Sequence, residues 1–148
     1  MKSTKLSSED GAVFVVVGEP GEDAFQLLTN FAKSNQLSAA QLTGVGAFRR
    51  ATVGWFDREA KDYRRIEVSQ QCELLSLIGD IAMSNDGPQV HAHVVLGLSD
   101  GTTRGGHLLS GEVWPTLEVI VREAPAVLRK TSHPELGLAL IDPDRTHI

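Results

Sequence analysis

The chain has 148 residues, of which 41% are hydrophobic and 22% are charged, and its formal net charge is −5. A chain of this length removes roughly two-thirds of its unfolded surface from water on folding, so it can build one core without disulfides or a structural metal. The negative charge disfavours a broad phosphate-binding face, because affinity for nucleic acids rests mainly on lysine and arginine. The lone Cys72 excludes an internal disulfide and any paired-cysteine zinc motif, which indicates a reducing, cytoplasmic location.

The start of the chain is basic and then polar, and no apolar stretch of signal-peptide length follows it. We therefore expect residues 1–10 to form a flexible N-terminus, and we expect no export. The longest apolar runs, such as residues 12–17, are far shorter than the ~20 residues of a membrane span, so no membrane partner is expected. No repeat or linker divides the chain, and residues 1–148 are predicted to form a single domain.

The predicted elements begin with a strand and one main helix. Residues 13–17 are mostly β-branched and are followed by a Gly-Glu-Pro-Gly turn, which is typical of a buried strand. Over residues 23–34 the apolar side chains recur at helical spacing behind an acidic start, and this pattern predicts the main helix. Residues 38–41 suit a further short turn of helix.

The rest of the chain is predicted to be strands in consecutive hairpins. Strand-like segments lie at 44–56, 64–68, 73–84, 89–98, 103–109 and 117–123, separated by turn-forming residues at 57–62, 85–88, 99–101 and 111–115. Consecutive hairpins predict an antiparallel sheet, and helices on one face of it make an α+β fold. Two helices cannot cover six or seven strands, so we expect a homo-oligomer to bury the open part of the sheet.

Three of the five histidines, His91, His93 and His107, lie within 17 residues. Side chains two apart on a strand point to the same face, so His91 and His93 can reach one ion. If the following hairpin is centred on Asp100, opposite residues have numbers that add up to 200, and His107 lies directly opposite His93. A two-residue turn at Asp100 and Gly101 would instead place His107 on the other face, although Gly101 suits the longer, bulged turn.

The clustered register predicts a divalent-metal site made of His91, His93 and His107, with a fourth position open to water, a carboxylate, an anion or another small molecule. Zinc is favoured by ligand softness and geometry, while imidazole also suits iron, nickel and copper. The competing interpretation of His91 and His93 alone is a pair of half-buried histidines whose rings are hydrogen-bonded.

Glu73 is the second candidate site residue, because it opens an otherwise apolar strand. It is a candidate fourth ligand, an acceptor for an imidazole N–H, or a general base if the metal polarises a carbonyl or activates water. The alternative is a carboxylate at the sheet edge that pairs with Arg49, Arg50, Arg64 or Arg65. The sequence contains no nucleophile elbow, P-loop or dinucleotide fingerprint.

Seven short blocks spread along the chain form a specific set, at residues 21–23, 42–47, 55–57, 73–79, 91–94, 105–108 and 111–113. Together they resemble the prokaryotic branch of the plant and prokaryote conserved (PPC) domain family. The resemblance implies an α+β fold with a mixed, largely antiparallel sheet, assembled as a homotrimer. It also implies that His91, His93 and His107 match the histidines that can hold a metal in prokaryotic members.

The resemblance raises two further functions. Plant members carry Arg-Gly-Arg-Pro segments that enter the minor groove of DNA, and this sequence shows none. A DNA-associated regulator that uses Arg49, Arg50, Arg64 and Arg65 as a basic patch is therefore an alternative that rests on family analogy, and the negative charge disfavours it. A trimeric module that presents its surface to protein partners is the third hypothesis.

Overall fold

The computed structural model describes residues 1–6 and 11–147, which contain one α-helix and nine β-strands. In chain order the elements are β1 (Lys2–Leu6), β2 (Val13–Gly18), α1 (Ala24–Ser34), β3 (Ala39–Asp57), β4 (Asp62–Val68), β5 (Cys72–Ser84), β6 (Gly87–Gly97), β7 (Thr103–Glu123), β8 (Lys130–His133) and β9 (Leu138–Ile141). A short 3₁₀ turn at Pro143–Arg145 follows them. The fold is the predicted α+β class, built on a mostly antiparallel sheet with one main helix.

The seven-stranded sheet has the order β1-β2-β7-β6-β5-β3-β4. Strand β3 also pairs with β7, so β3, β5, β6 and β7 form a closed ring of paired strands. All pairings between these named strands are antiparallel, and the parallel contact recorded among the described residues is an isolated bridge between Met83 and Arg129. Strands β8 and β9 form a separate hairpin.

Helix α1 forms where the apolar spacing predicts it. The Asp23 side chain caps its first turn by accepting a hydrogen bond from the Gln26 amide at 2.9 Å. Its apolar face packs on β6 and β7, and Phe31, which is 1% exposed, meets the ring of Phe14 edge-on at 5.3 Å. Burying one such side chain stabilises a fold by about 1.5–3 kcal/mol, so this face holds the helix on the sheet.

Three sequence expectations differ from the fold. Residues 38–41 are not helical, because Ala39 and Ala40 start β3 and pair with β5 and β7. Residues 111–115 are not a turn, because β7 runs unbroken through them, and register shifts in its pairing with β3 absorb the irregularity. The expected flexible N-terminus is in part strand β1, which pairs with β2, while residues 7–10 lie outside the described residues.

The sheet is left partly uncovered, as the shortage of helices predicts. A shallow groove there is lined by apolar side chains that stay 41–61% exposed, namely Val45, Leu75, Ile78 and Ile120. We call these four residues the open face. Within the described residues, no helix has the length and apolar composition needed to cross a bilayer.

Candidate metal centre

The hairpin between β6 and β7 has the register that clusters the histidines. Leu98 and Thr102 face each other, with the Leu98 amide donating to the Thr102 carbonyl at 2.8 Å. Gly101 adopts a φ of +81°, which lies in the left-handed region that the bulged turn requires. His93 consequently lies opposite His107, and the prediction that partner numbers add up to 200 is confirmed.

The three imidazole rings meet on one face of the sheet. Each offers a ring nitrogen, and these atoms all lie within 4.8 Å of one another. The Nε2 atoms of His91 and His93 are 3.1 Å apart, and the ring of His107 lies 5.2 Å from that of His91 and 5.5 Å from that of His93, centroid to centroid. The clustering of the predicted ligand residues is therefore a feature of the fold.

Two neighbouring side chains hold these rings in place. Asp80 on β5 lies opposite His91, and its Oδ2 atom is 3.2 Å from His91 Nδ1. Tyr63 on β4 stacks on His107 with a centroid distance of 4.7 Å. A histidine ligand commonly donates its second ring N–H to a carboxylate, which fixes the tautomer and leaves the other nitrogen with its lone pair. Asp80 is placed to do this for His91.

The spacing of the His91 and His93 donor atoms fits a single cation. Two nitrogens bound at about 2.1 Å to one ion are about 3.0 Å apart at a right angle and about 3.4 Å apart at a tetrahedral angle. The 3.1 Å between the Nε2 atoms of His91 and His93 lies between these values. His107 Nδ1 is buried and has no hydrogen-bond partner among residues 1–6 and 11–147. A donor set of three imidazoles suits Zn²⁺ and other borderline-soft divalent ions.

Electrostatics keep two of the rings neutral near pH 7. Burial, followed by the proximity of His91 and His93, lowers the pKa of His107 from 6.5 to about 4. Burial also lowers the pKa of His93, and the neighbouring His91 adds to the effect. Neutral imidazoles carry the free lone pair that a metal ion needs, so His93 and His107 can bind a cation without first losing protons.

The histidines open into a cleft of about 670 Å³. Its lining includes Lys130 at the start of β8, whose side chain is only 5% exposed and whose Nζ lies 3.9 Å from Asp80 Oδ1. Burial lowers the pKa of Lys130, and the nearby Asp80 partly offsets this. Sequence reasoning missed Asp80, Tyr63 and Lys130, although the Asn-Asp turn between β5 and β6 fixes the register that places Asp80 opposite His91.

Glu73 is not brought to the histidines. It is exposed and lies opposite Gly97, four residues along β6 from His93, which corresponds to about 13 Å of strand. It lines a different cavity, together with Gln70 and Ser99. The acid beside the cluster is Asp80, on the same strand as Glu73.

The arginines proposed as partners of Glu73, or as a basic patch, pair with other groups. Arg49 and Arg50 approach the carboxylate of Glu112 at 3.4 and 2.9 Å. Arg64 lies 3.7 Å from Asp57 and also stacks on an exposed indole ring. Three of these four positive charges therefore lie beside a carboxylate of the same chain.

The fold and the cleft define a class: a single-domain α+β protein with a mostly antiparallel sheet and a cluster of three histidines on one hairpin. Residues 5–125 match the Plants and Prokaryotes Conserved (PCC) domain, the family also abbreviated PPC. The chain belongs to this family, which confirms the resemblance read from the sequence blocks.

Solved structures with the same fold come from archaea and bacteria. A PPC protein from Pyrococcus horikoshii is 30% identical, with a TM-score of 0.83 over 95% of this chain and 94% of that chain. A metal-containing protein from Archaeoglobus fulgidus is 33% identical, with a TM-score of 0.83 over 90% of this chain and 95% of that one. A candidate DNA-binding protein from Bacteroides thetaiotaomicron, 24% identical, has a TM-score of 0.86 over 97% and 99% of the two chains, and this likeness shows the fold alone.

One curated relative is much longer than this chain. The bifunctional protein GlmU from Synechococcus sp. (strain JA-3-3Ab) is 34% identical over 107 residues, which are 71% of this chain. The aligned stretch spans only 16% of that relative's length. The likeness therefore transfers no activity of the longer protein to this chain.

Proposed function

We propose that the chain is a metal-binding protein of the PCC family in which His91, His93 and His107 hold one divalent cation, with zinc favoured. The observation that carries the proposal is the 3.1 Å separation of the Nε2 atoms of His91 and His93, with Asp80 at His91 Nδ1. The metal-containing relative from A. fulgidus, 33% identical, supports it. The role is ligand binding or regulation at the metal, in the cytoplasm.

The chain's own residues have distinct parts in this function. When bound, the cation would act as a Lewis acid. Asp80 accepts a hydrogen bond from the Nδ1–H group of His91 and thereby fixes the tautomer of that ring. Tyr63 limits rotation of the His107 ring by stacking on it. Glu73 lies too far along β5 to act as a base at this cluster.

The test is metal analysis of purified, untagged protein. We expect about one zinc or similar ion per chain, and we expect His91→Ala and His107→Ala to lose it. The matched control is His133→Ala, because His133 lies on β8 and is hydrogen-bonded to Glu135. An unmutated protein without stoichiometric metal would refute the proposal, and so would equal metal loss in the His133 variant.

We also propose that the protein assembles as a homotrimer through the open face. Four large apolar side chains there are 41–61% exposed, which is unusual on one contiguous groove of a monomer. The assembly state is measured by light scattering, with Ile78→Asp expected to shift it towards monomer. Arg58→Asp in the β3–β4 turn is the control, and a monomeric unmutated protein at micromolar concentration would contradict the proposal.

DNA binding is the competing function, and the charge distribution favours metal binding over it. The net charge is −5 per chain, and three of the four arginines of the basic patch lie beside carboxylates. A mobility-shift assay on duplex DNA across a salt series is expected to show no binding at physiological ionic strength. Tight binding that weakens steeply with increasing salt would support DNA binding as a function of this protein.

A further inference from the structure

Lys130 is a buried lysine whose ammonium donates no hydrogen bond to any residue that the structure describes. Its side chain is 5% exposed, and the nearest acidic oxygen recorded for it is Asp80 Oδ1 at 3.9 Å, which is beyond hydrogen-bond distance. Asp80 Oδ1 is also buried and unbonded within the described part of the chain. Burying an ammonium without a hydrogen-bond acceptor is costly, so the Lys130 ammonium favours an acceptor from outside the chain, whereas Asp80 already contacts His91 Nδ1 through Oδ2.

The unbonded groups converge on one cleft. Asp80 Oδ1, the Lys130 ammonium and the buried, unpartnered His107 Nδ1 belong to residues that line the same cavity of about 670 Å³. They come from three different strands, β5, β8 and β7. A volume of this size is typical of small-molecule sites, in which a few polar groups orient a ligand against apolar walls.

The remaining walls of the cleft are apolar and partly exposed. The lining includes aromatic rings from the helix and from β3 and β4 and aliphatic residues of β9, namely Phe25, Phe56, Tyr63, Leu138, Leu140 and Ile141. Leu140 is 42% exposed and Ile141 is 39% exposed, so their apolar surface is available to a ligand. Strands β8 and β9 follow the family match, which ends at residue 125, so this chain's C-terminal segment supplies both the lysine and this wall.

The charges of the lining select the ligand's charge. Among the lining residues, Lys130 and Asp80 carry opposite formal charges that cancel, so a divalent ion on the histidines leaves the cleft net positive. This step rests on the proposed metal function. We propose that the cleft binds a small organic carboxylate, with its anionic end at Lys130 Nζ and its apolar body against β9 and the aromatic rings.

The experiment is calorimetric titration of the metal-loaded protein with benzoate. Benzyl alcohol has a similar body without the charge, and inorganic phosphate has the charge without the body. We expect benzoate to bind at least tenfold more tightly than either. Lys130→Met keeps the aliphatic stem and removes the ammonium, and it is expected to weaken benzoate tenfold or more with metal content unchanged. Lys33→Met, on the exposed side of α1, is the control and is expected to change nothing.

Two outcomes would overturn the proposal: benzoate binding unaffected by Lys130→Met, or phosphate binding as tightly as benzoate. If Lys130→Met fails to fold, Leu140→Ser decides, because Leu140 is exposed and its loss should weaken benzoate several-fold. Unchanged benzoate binding in that variant would also refute the proposal. Protein that takes up no divalent ion in the metal analysis would refute the metal function, whereas metal-loaded protein that does not bind benzoate would refute the carboxylate site alone.

Discussion

Strand β5 carries two acidic residues in an otherwise apolar stretch, and their surroundings differ. Glu73 is exposed and lies opposite Gly97, whereas Asp80 is partly buried and lies opposite His91. Asp80 contacts His91 Nδ1 at 3.2 Å and lies 3.9 Å from the ammonium of Lys130. An acid in an apolar strand therefore becomes chemically useful through its partner across the strand pair, and its rarity in the strand does not show which acid belongs to the site.

The largest expected effect comes from a substitution between β5 and β6 at the end of this strand pair that contains Asp80, which we call the Asp80 end. A Cβ added at Gly79 would collide with the His91 carbonyl oxygen and lie 2.9 Å from Ala92 Cα. Backbone atoms cannot move aside, so Gly79→Ala should separate β5 from β6 and destabilise the protein by about 3 kcal/mol. Urea unfolding measures the free energy, and metal analysis should show that the ion is lost.

The matched change at the Glu73 end is Gly97→Ala. Its Cβ would meet the Leu75 side chain at 3.1–3.3 Å, and Leu75 is 53% exposed and free to shift. We expect a loss of less than about 1 kcal/mol with metal content unchanged. Equal destabilisation by the two variants would show that the two ends of the strand pair are equally tolerant.

The second effect is a pH dependence of the folding stability that arises from His107, at the Asp80 end. Burial holds the pKa of His107 at about 4 in the folded protein against an ordinary 6.5. Between these values the unfolded chain binds a proton that the folded chain does not, so stability should fall as pH drops below about 6.5 and stay level above it.

The size of this effect in metal-free protein should be about 2 kcal/mol between pH 6.5 and pH 5. Urea unfolding at a series of pH values measures it, and His107→Gln should flatten the decline by that amount. His133→Gln changes a histidine on β8, outside the cluster, and should keep the decline. A His107→Gln protein with the slope of the unmutated chain would contradict the buried, neutral imidazole.

The third effect separates the two acids directly. Asp80→Asn removes the carboxylate that accepts the His91 proton, and removing such a partner typically weakens metal binding by about 10- to 100-fold. Glu73→Gln makes the same chemical change where no histidine is near and should leave affinity unchanged. Competition with a coloured chelator measures both, and similar losses in the two variants would reassign Glu73 to the site.

Much of the site can be predicted because it depends on local hairpins. His93 and His107 are joined by a short turn, so the turn length decides which face His107 occupies. The same reasoning applied to the turn between β5 and β6 would place Asp80 opposite His91. Lys130 is different, because its position in the cleft depends on the backbone contact of Met83 with Leu128 and Arg129. No pattern in the sequence predicts that contact.

The two secondary-structure predictions that were wrong, at residues 38–41 and 111–115, have a similar cause. Gly111 favours a turn by composition, but in the structure it leaves room for the ring of Phe48, whose atoms would lie 3.0 Å from an added Cβ. Ala39 and Ala40 favour helix by propensity, but pairing with two strands outweighs it. In both places a contact distant in sequence decides the local structure.

The last expected effect is small, and it distinguishes a glycine needed for close contact from one needed for a turn. Gly101 has a φ of +81°, and an added Cβ would meet nothing within 4 Å. Gly101→Ala should therefore cost only the left-handed conformation, about 1 kcal/mol, and leave metal affinity unchanged, because the pairing of His93 with His107 also rests on the strand hydrogen bonds. Thermal unfolding and metal titration measure the two quantities. Loss of the metal in this variant would mean that the turn alone holds His93 opposite His107. The metal site would then depend on the turn between β6 and β7 as well as on the pairing of β5 with β6.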